Sequence, residues 1–227
     1  MGDFMGIEIY IYIMIFIFGS VMGSFFNVLA MRLSNNESIL WPSSHCHNCN
    51  HRLRWYELIP IVSYHSFGFS YNFVISLIFI SSLIVIIVSD IEYMIILDEI
   101  IAISSISIII LELIFFGLDY TVSKILAGIL AFVTMYVIKL IGDRLFKRES
   151  MGGGDIKLMF LFGIVIGYPL AICDIFLATF IAFPVAIYIL FSRRDNLIPF
   201  GPFLAMAAIL IHISKVDING IINFLVK

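Results

Sequence analysis

The sequence predicts an all-α integral membrane protein, a polytopic helical bundle of about seven spans (roughly six to eight). Hydrophobic residues make up 62% of the 227-residue chain and charged residues only 13%, whereas soluble domains have about 45–50% and about 25%. So few charges cannot cover a soluble fold of this size. The apolar residues also occur in long unbroken runs, whereas the strands of a membrane barrel would alternate.

A helix needs roughly 20 apolar residues to cross the hydrocarbon, and we assign candidate spans on that basis. They are about Ile7–Leu29, Phe73–Ser89, Glu99–Phe116, Val122–Ile141, Ile156–Tyr168, Leu170–Phe191 and Ile198–Ile213. Three regions follow: residues 1–30 as the first membrane helix, 31–72 as a short polar loop domain, and 73–227 as the helical membrane core.

Charge patterning predicts the orientation and the partners. The basic side chains that flank the later spans belong in the cytosol by the positive-inside rule; they are Arg144, Lys147, Arg148, Arg193 and Arg194. Two crossings separate Asp90 from Asp155, so both aspartates are expected at that same face. The side of the membrane on which the loop 31–72 lies stays open. One crossing separates this loop from Asp90, which puts it outside, whereas its arginines favour the cytosol.

No basic stretch is long enough to follow a phosphate backbone. We therefore expect the lipid bilayer as a partner and no nucleic acid.

Two carboxylates lie next to apolar runs. Asp90 directly follows Ile84–Ser89, and Asp155 follows three glycines and precedes another apolar run. A carboxylate at membrane depth is costly and indicates a functional site. For either residue alone, the simpler interpretation is a helix end, where capping and the helix dipole favour acids.

The two aspartates together with Gly152, Gly153 and Gly154 favour catalysis. Glycine permits positive φ or the close approach of another backbone, so a substrate strand can reach the Asp155 carboxylate. Two carboxyl groups that share a site cannot both ionise easily. The ionised group then draws a proton from water, while the protonated group donates to the scissile carbonyl. This pattern predicts aspartyl protease chemistry.

Four segments, in order along the chain, resemble those of the prepilin peptidases, which are type IV leader peptidases with an N-methyltransferase activity. The segment Met151-Gly-Gly-Gly-Asp-Ile-Lys157 looks like their GxGD motif. The others are Gly23-Ser-Phe-Phe-Asn-Val28 followed by Arg32-Leu33, then Asp90-Ile-Glu-Tyr-Met-Ile-Ile-Leu-Asp98, and Ile198-Pro-Phe-Gly-Pro-Phe203. The second of these has Leu97 where the family usually has proline.

The resemblance implies that Asp90 and Asp155 are the catalytic pair and that Glu92 and Asp98 are accessory. It implies a bacterial inner-membrane enzyme that cleaves the basic leader of prepilin-like proteins (pilins, pseudopilins or competence proteins) at the cytosolic face. Cleavage would follow a glycine and precede the hydrophobic N-terminal helix of the substrate. Methylation of the new N-terminus with S-adenosylmethionine is implied by the resemblance alone, since no glycine-rich nucleotide loop follows a strand.

Cys46 and Cys49 form a CxxC pair in the polar loop. Zinc suits this spacing but usually takes four ligands, and the second CxxC that many family members carry is missing here. The histidines that are candidates for a Cys2His2 site are His45, His47, His51 and His65. The alternative is a degenerate knuckle without metal.

Asn27 and Lys157 each have two interpretations. Asn27 is expected to face the bundle, where it either orients the active site or joins helices through hydrogen bonds. Lys157 either biases the titration of the aspartates and meets the substrate, or anchors its helix at the membrane interface.

Two further functions remain open from the residues. One is a peptidase that cleaves without methylating, as preflagellin peptidases do. The other is a small transporter or channel that uses Asp90 and Asp155 as ion sites. Transporters usually have two repeated halves, and no internal repeat is visible in the sequence.

Overall fold

The computed structural model describes residues 70–147, 149–191 and 199–215, and the regular structure in these ranges is helical throughout. In chain order the helices are α1 (Tyr71–Tyr93), α2 (Asp98–Phe116), α3 (Leu118–Phe146), α4 (Gly153–Ile166), α5 (Tyr168–Phe191) and α6 (Gly201–Ser214). The all-α prediction is confirmed for this part of the chain. Asn27, Cys46 and Cys49, with the predicted first span and nearly all of the polar loop, lie outside the described residues.

Four of these helices are long and apolar enough to cross a membrane, namely α1, α2, α3 and the stretch Tyr168–Tyr188 of α5. The chain is therefore a multi-pass membrane protein. Helix α6 is apolar but shorter, and α4 has only 14 residues, about 21 Å at ~1.5 Å per residue. The count of seven spans stays a prediction.

Two helix boundaries differ from the sequence-based spans in a way that matters for the aspartates. Helix α1 continues to Tyr93, so Asp90 lies in its last turn rather than after it. Helix α4 begins at Gly153, so two of the three successive glycines are helical. Apolar runs locate the lipid-facing part of a helix, whereas its ends depend on backbone hydrogen bonds and caps.

Helix α4 lies at the centre of the bundle and contacts α2, α3, α5 and α6. Its side chains at Leu158, Met159, Phe162 and Ile164 are fully buried. By contrast, α3 exposes large apolar side chains along its length, such as Leu126 and Ile141. Exposed apolar side chains of this kind suit contact with lipid, so α4 is the helix shielded by protein and α3 covers one side of it.

The backbones of α3 and α4 approach each other closely at two glycines. A Cβ atom at Gly163 would lie 2.5 Å from the Cα of Gly128 and 2.6 Å from the carbonyl oxygen of Ala127. A Cβ atom at Gly128 would lie 2.9 Å from the carbonyl oxygen of Phe160. Small residues are the usual means by which membrane helices approach so closely, and here no larger side chain fits without separating the helices.

Polar contacts join the helices at the end of the bundle away from Asp90. The Lys124 ammonium of α3 donates to the Val165 carbonyl at the C-terminus of α4, at 3.2 Å. The Ser76 hydroxyl of α1 lies 2.6 Å from Nε2 of His212 on α6. Terminal helix carbonyls lack partners within the helix, and the lysine supplies one. These contacts fix four helix ends relative to one another.

We expect Gly163→Ala to lower the thermal stability of the detergent-solubilised protein by several degrees, because backbone atoms that cannot rotate away meet the new methyl group. Overpacking of this kind costs about 1–3 kcal/mol. Gly153→Ala in the same helix is the matched control, since a Cβ atom there meets nothing within 4 Å. Thermal unfolding curves of both variants test this, and equal melting temperatures would contradict the close approach of α3 and α4.

Candidate active site

Asp90 is positioned by the end of α1. Its side chain is only 5% exposed, and its backbone carbonyl accepts the hydrogen bond that ends the helix, from the N–H of Met94 at 2.9 Å. Met94 takes the left-handed conformation, with φ of 55°, which ends helices but is uncommon for a residue with a side chain. The chain therefore turns at Met94, one helical turn after Asp90, and residues 95–97 run toward α4.

Asp155 is positioned by the start of α4. It is the third residue of the helix and 5% exposed, and the backbone of Gly152 hydrogen-bonds its carboxyl group. The positive end of a helix dipole favours an acid at this place. Its Oδ1 atom is buried and has no hydrogen-bond partner among the described residues. This oxygen is therefore free to bind a water molecule or a substrate group.

Gly154 permits the loop after α1 to lie directly on the first turn of α4. A Cβ atom at this position would be 2.6 Å from the Cβ of Ile96. The sequence left open whether the glycines serve positive φ or close approach. Gly152 has φ of −67° and Gly153 and Gly154 are helical, so close approach is the reason at Gly154, and it sets the loop that follows Asp90 beside Asp155.

Gly201, at the start of α6, forms a third part of the site. Its backbone hydrogen-bonds the Asp90 carboxyl group, and a Cβ atom there would overlap Oδ2 of Asp90. The sequence alone assigned no role to Gly201. The residue lies within Ile198-Pro-Phe-Gly-Pro-Phe203, one of the four segments that resemble the family, and that was its only signal.

The two aspartates line a single cavity of about 720 Å³. The glycines at 152–154, Asp98 and Lys157 also contribute to its wall, together with the turn after α1 and Phe200 ahead of α6. Asp90 and Asp155 are thus brought to one end of the bundle from α1 and α4. A cavity of this volume accommodates an extended stretch of a few residues next to two buried carboxyl groups.

Lys157 forms an ion pair with Asp98 at the edge of this cavity. The two side chains are 49% and 57% exposed, so the pair itself adds little to stability. Lys157 therefore contacts an acid at the edge of the site, and its two proposed roles, at the aspartates and as an interface anchor, both stay predictions. Glu92, by contrast, is exposed and does not contribute to the cavity wall, so an accessory role for Glu92 remains a prediction from the resemblance.

Buried paired carboxyl groups suit general acid–base chemistry on a peptide bond. Where two such groups share a site, one is driven to hold the proton while the other stays ionised. A water molecule between them can be deprotonated by one and the carbonyl oxygen protonated by the other. Within the described ranges, no group of three or more His, Cys, Asp or Glu side chains is arranged for a metal ion. The predicted zinc ligands Cys46 and Cys49 lie outside those ranges.

Two family models match the chain one after the other. Residues 17–71 match the bacterial peptidase A24 N-terminal domain, and residues 77–187 match the type IV leader peptidase family. The second match contains both Asp90 and Asp155, and together the two matches cover most of the chain. No solved structure matches the chain.

Three curated relatives carry the name prepilin leader peptidase/N-methyltransferase. The relative from Bacillus subtilis is 29% identical over 94% of this chain and 97% of its own length. The relative from Myxococcus xanthus is 24% identical over 66% of this chain and 55% of its own length. The relative from Vibrio cholerae is 38% identical over 40% of this chain and 37% of its own length. Since two family models match in order and a relative aligns end to end, the chain belongs to the type IV leader peptidase family.

Proposed function

We propose that this membrane peptidase removes the basic leader from type IV prepilin-like proteins, with Asp90 and Asp155 as its catalytic pair. The main support is that these two aspartates line one cavity although they come from different helices, and that each is only 5% exposed. The names of the relatives support prepilins as the substrate class. The family match favours a peptidase over the transporter or channel considered from the sequence.

The reaction follows from the positions of the two carboxyl groups. One accepts a proton from a water molecule, the water oxygen attacks the scissile carbonyl, and the other donates a proton to the carbonyl oxygen. As the tetrahedral intermediate collapses, the first carboxyl group gives the proton it took from water to the leaving amine, and the hydroxyl proton of the intermediate returns to the second carboxylate. The hydrogen bond from the Gly201 backbone holds Asp90 in place, while the start of α4 holds Asp155.

Several finer features belong to the same proposal. We place the active site at the cytosolic face of the bacterial inner membrane, in a bundle of about seven spans with the polar loop 31–72 after the first. The basic side chains near Arg144 and Arg193 support this orientation by the positive-inside rule. Expected partners are the bilayer and substrates with a hydrophobic N-terminal helix, and no nucleic acid.

Methylation of the new N-terminus is a second proposed activity, supported by the names of the relatives. The donor would be S-adenosylmethionine. The described residues that line the cavity belong to helices and to the loops beside them, with no strand among them. They therefore do not fit a nucleotide loop that follows a strand, and no catalytic step is assigned to this cofactor. Zinc at Cys46 and Cys49 likewise remains a proposal, which metal analysis of the purified protein tests.

We expect Asp155→Asn to reduce prepilin cleavage by at least about 10³-fold, since asparagine keeps the shape but cannot exchange the proton. Asp90→Asn should behave in the same way, and the double variant should be no worse than either, because residues that act as a unit are not additive. Leader removal from purified prepilin is the measurement. The control is Asp119→Asn, the same change at an exposed position in the first turn of α3. Cleavage by Asp155→Asn close to the wild-type rate would sink the proposal.

Gly201→Ala should lower kcat by about 10–100-fold, because the added methyl group displaces the Asp90 carboxyl group, and a displacement of about 1 Å can cost 10²-fold. Met206→Ala, on a partly exposed position of the same helix, should stay within about twofold of the wild type. Steady-state kinetics on prepilin together with melting temperatures separate displacement from unfolding. Full activity of a folded Gly201→Ala enzyme would show that α6 does not position Asp90.

The double variant Cys46→Ser/Cys49→Ser should retain peptide cleavage, because neither residue belongs to the carboxylate chemistry. We expect its polar loop to fold less well and methylation, where present, to be lost. Mass spectrometry of the processed pilin reports both reactions at once, since leader removal and methyl addition change the mass separately. Complete loss of cleavage in a normally expressed and folded variant would contradict this assignment.

A further inference from the structure

A second cavity of about 700 Å³ lies beside the catalytic one, between α2, α3 and α4. Apolar side chains make up most of its wall, and we call it the lateral groove. The residues that define it are Ala102, Ile106 and Ile109 of α2, Ile129 and Phe132 of α3, and Phe160 of α4. The chemistry described for Asp90 and Asp155 makes no use of this groove.

The lateral groove begins where the catalytic cavity ends. Asp98 and Lys157, which form the ion pair at the cavity edge, contribute to the walls of both. From Asp98 the groove follows α2 to Ile109, a distance of about 16 Å at ~1.5 Å per residue. The two cavities therefore adjoin at this ion pair, one beside the buried carboxyl groups and the other in the apolar part of the bundle.

The groove is open on its outer side. Ile106 is 58% exposed and Ile129 is 45% exposed, whereas Phe132 and Phe160 are partly buried against the core. Ala102 is small among these larger side chains, which leaves room between α2 and α3. The shape is thus a shallow channel with an aromatic floor, open toward the surrounding bilayer.

We propose that the lateral groove binds the hydrophobic helix that follows the scissile bond in the substrate. This rests on the proposed function. A substrate cut just before an apolar helix must leave the catalytic cavity as that helix enters the membrane, and the groove is the apolar surface that starts there.

Photo-crosslinking tests the occupant directly. A photoreactive amino acid is placed at Ala102 or Ile106 in the Asp155→Asn enzyme, in vesicles that contain prepilin. Ile103 is the matched control: it lies at the same depth on α2, is 63% exposed and does not contribute to the groove wall. We expect adducts with the prepilin helix at least about fivefold more often from the groove positions than from Ile103.

Two other occupants are distinguished by the same experiment. Adducts within the enzyme, from Ala102 or Ile106 to residues 7–29, would show that the predicted first span fills the groove, and this overturns the proposal. Adducts with lipid alone, or equal prepilin yields from Ile103, overturn it as well. The mass of each adduct identifies which occurred.

Kinetics give a second, independent readout. Ala102→Trp fills the groove and should lower kcat/KM for full-length prepilin at least about tenfold, mainly through KM. Ile103→Trp, which adds a similar side chain toward lipid, should remain within about twofold. Unchanged kinetics of Ala102→Trp would contradict substrate binding in the lateral groove but would leave the proposed peptidase activity standing. Cleavage by Asp155→Asn would instead contradict the proposed catalytic pair, and the crosslinks would still report where prepilin binds.

Discussion

The close approach of α3 and α4 at Gly128 and Gly163 is the contact on which the position of the active site depends. Helix α4 is buried among four others, and a methyl group at Gly163 would force its backbone away from α3. Lipid tails are as apolar as the helix surfaces, so membrane helices associate through packing and hydrogen bonds rather than through exclusion of water. Any change that separates α3 from α4 therefore also moves Asp155.

Both ends of the bundle combine side-chain contacts across helices with close approaches at glycine. At the far end, side chains reach across helices, as Lys124 does to the Val165 carbonyl and Ser76 to His212. At the catalytic end, Lys157 pairs with Asp98 across helices. Missing side chains there leave room for the Ile96 side chain beside Gly154 and for the Asp90 carboxyl group beside Gly201. Glycines leave the cavity open while still fixing its walls.

The sequence alone predicted the helical membrane fold, because long apolar runs identify the spans. It also predicted Asp90 and Asp155 at one face, because two crossings separate them along the chain. It did not predict the part that Gly201 plays, since a contact between residues so far apart in the chain depends on how α1 and α6 pack. The Lys157–Asp98 pair was missed for the same reason. The lateral groove was equally inaccessible, because an apolar side chain facing lipid and one facing a groove look alike in a hydropathy profile.

The dependence of Asp90 on Gly201 also bears on how the enzyme is made. Both aspartates are synthesised well before Gly201. At ordinary synthesis rates, the time between Asp155 and Gly201 is on the order of seconds. During that interval the Asp90 carboxyl group lacks the hydrogen bond from the Gly201 backbone, and the cavity lacks Phe200. The catalytic end is therefore complete only once α6 has packed against α1.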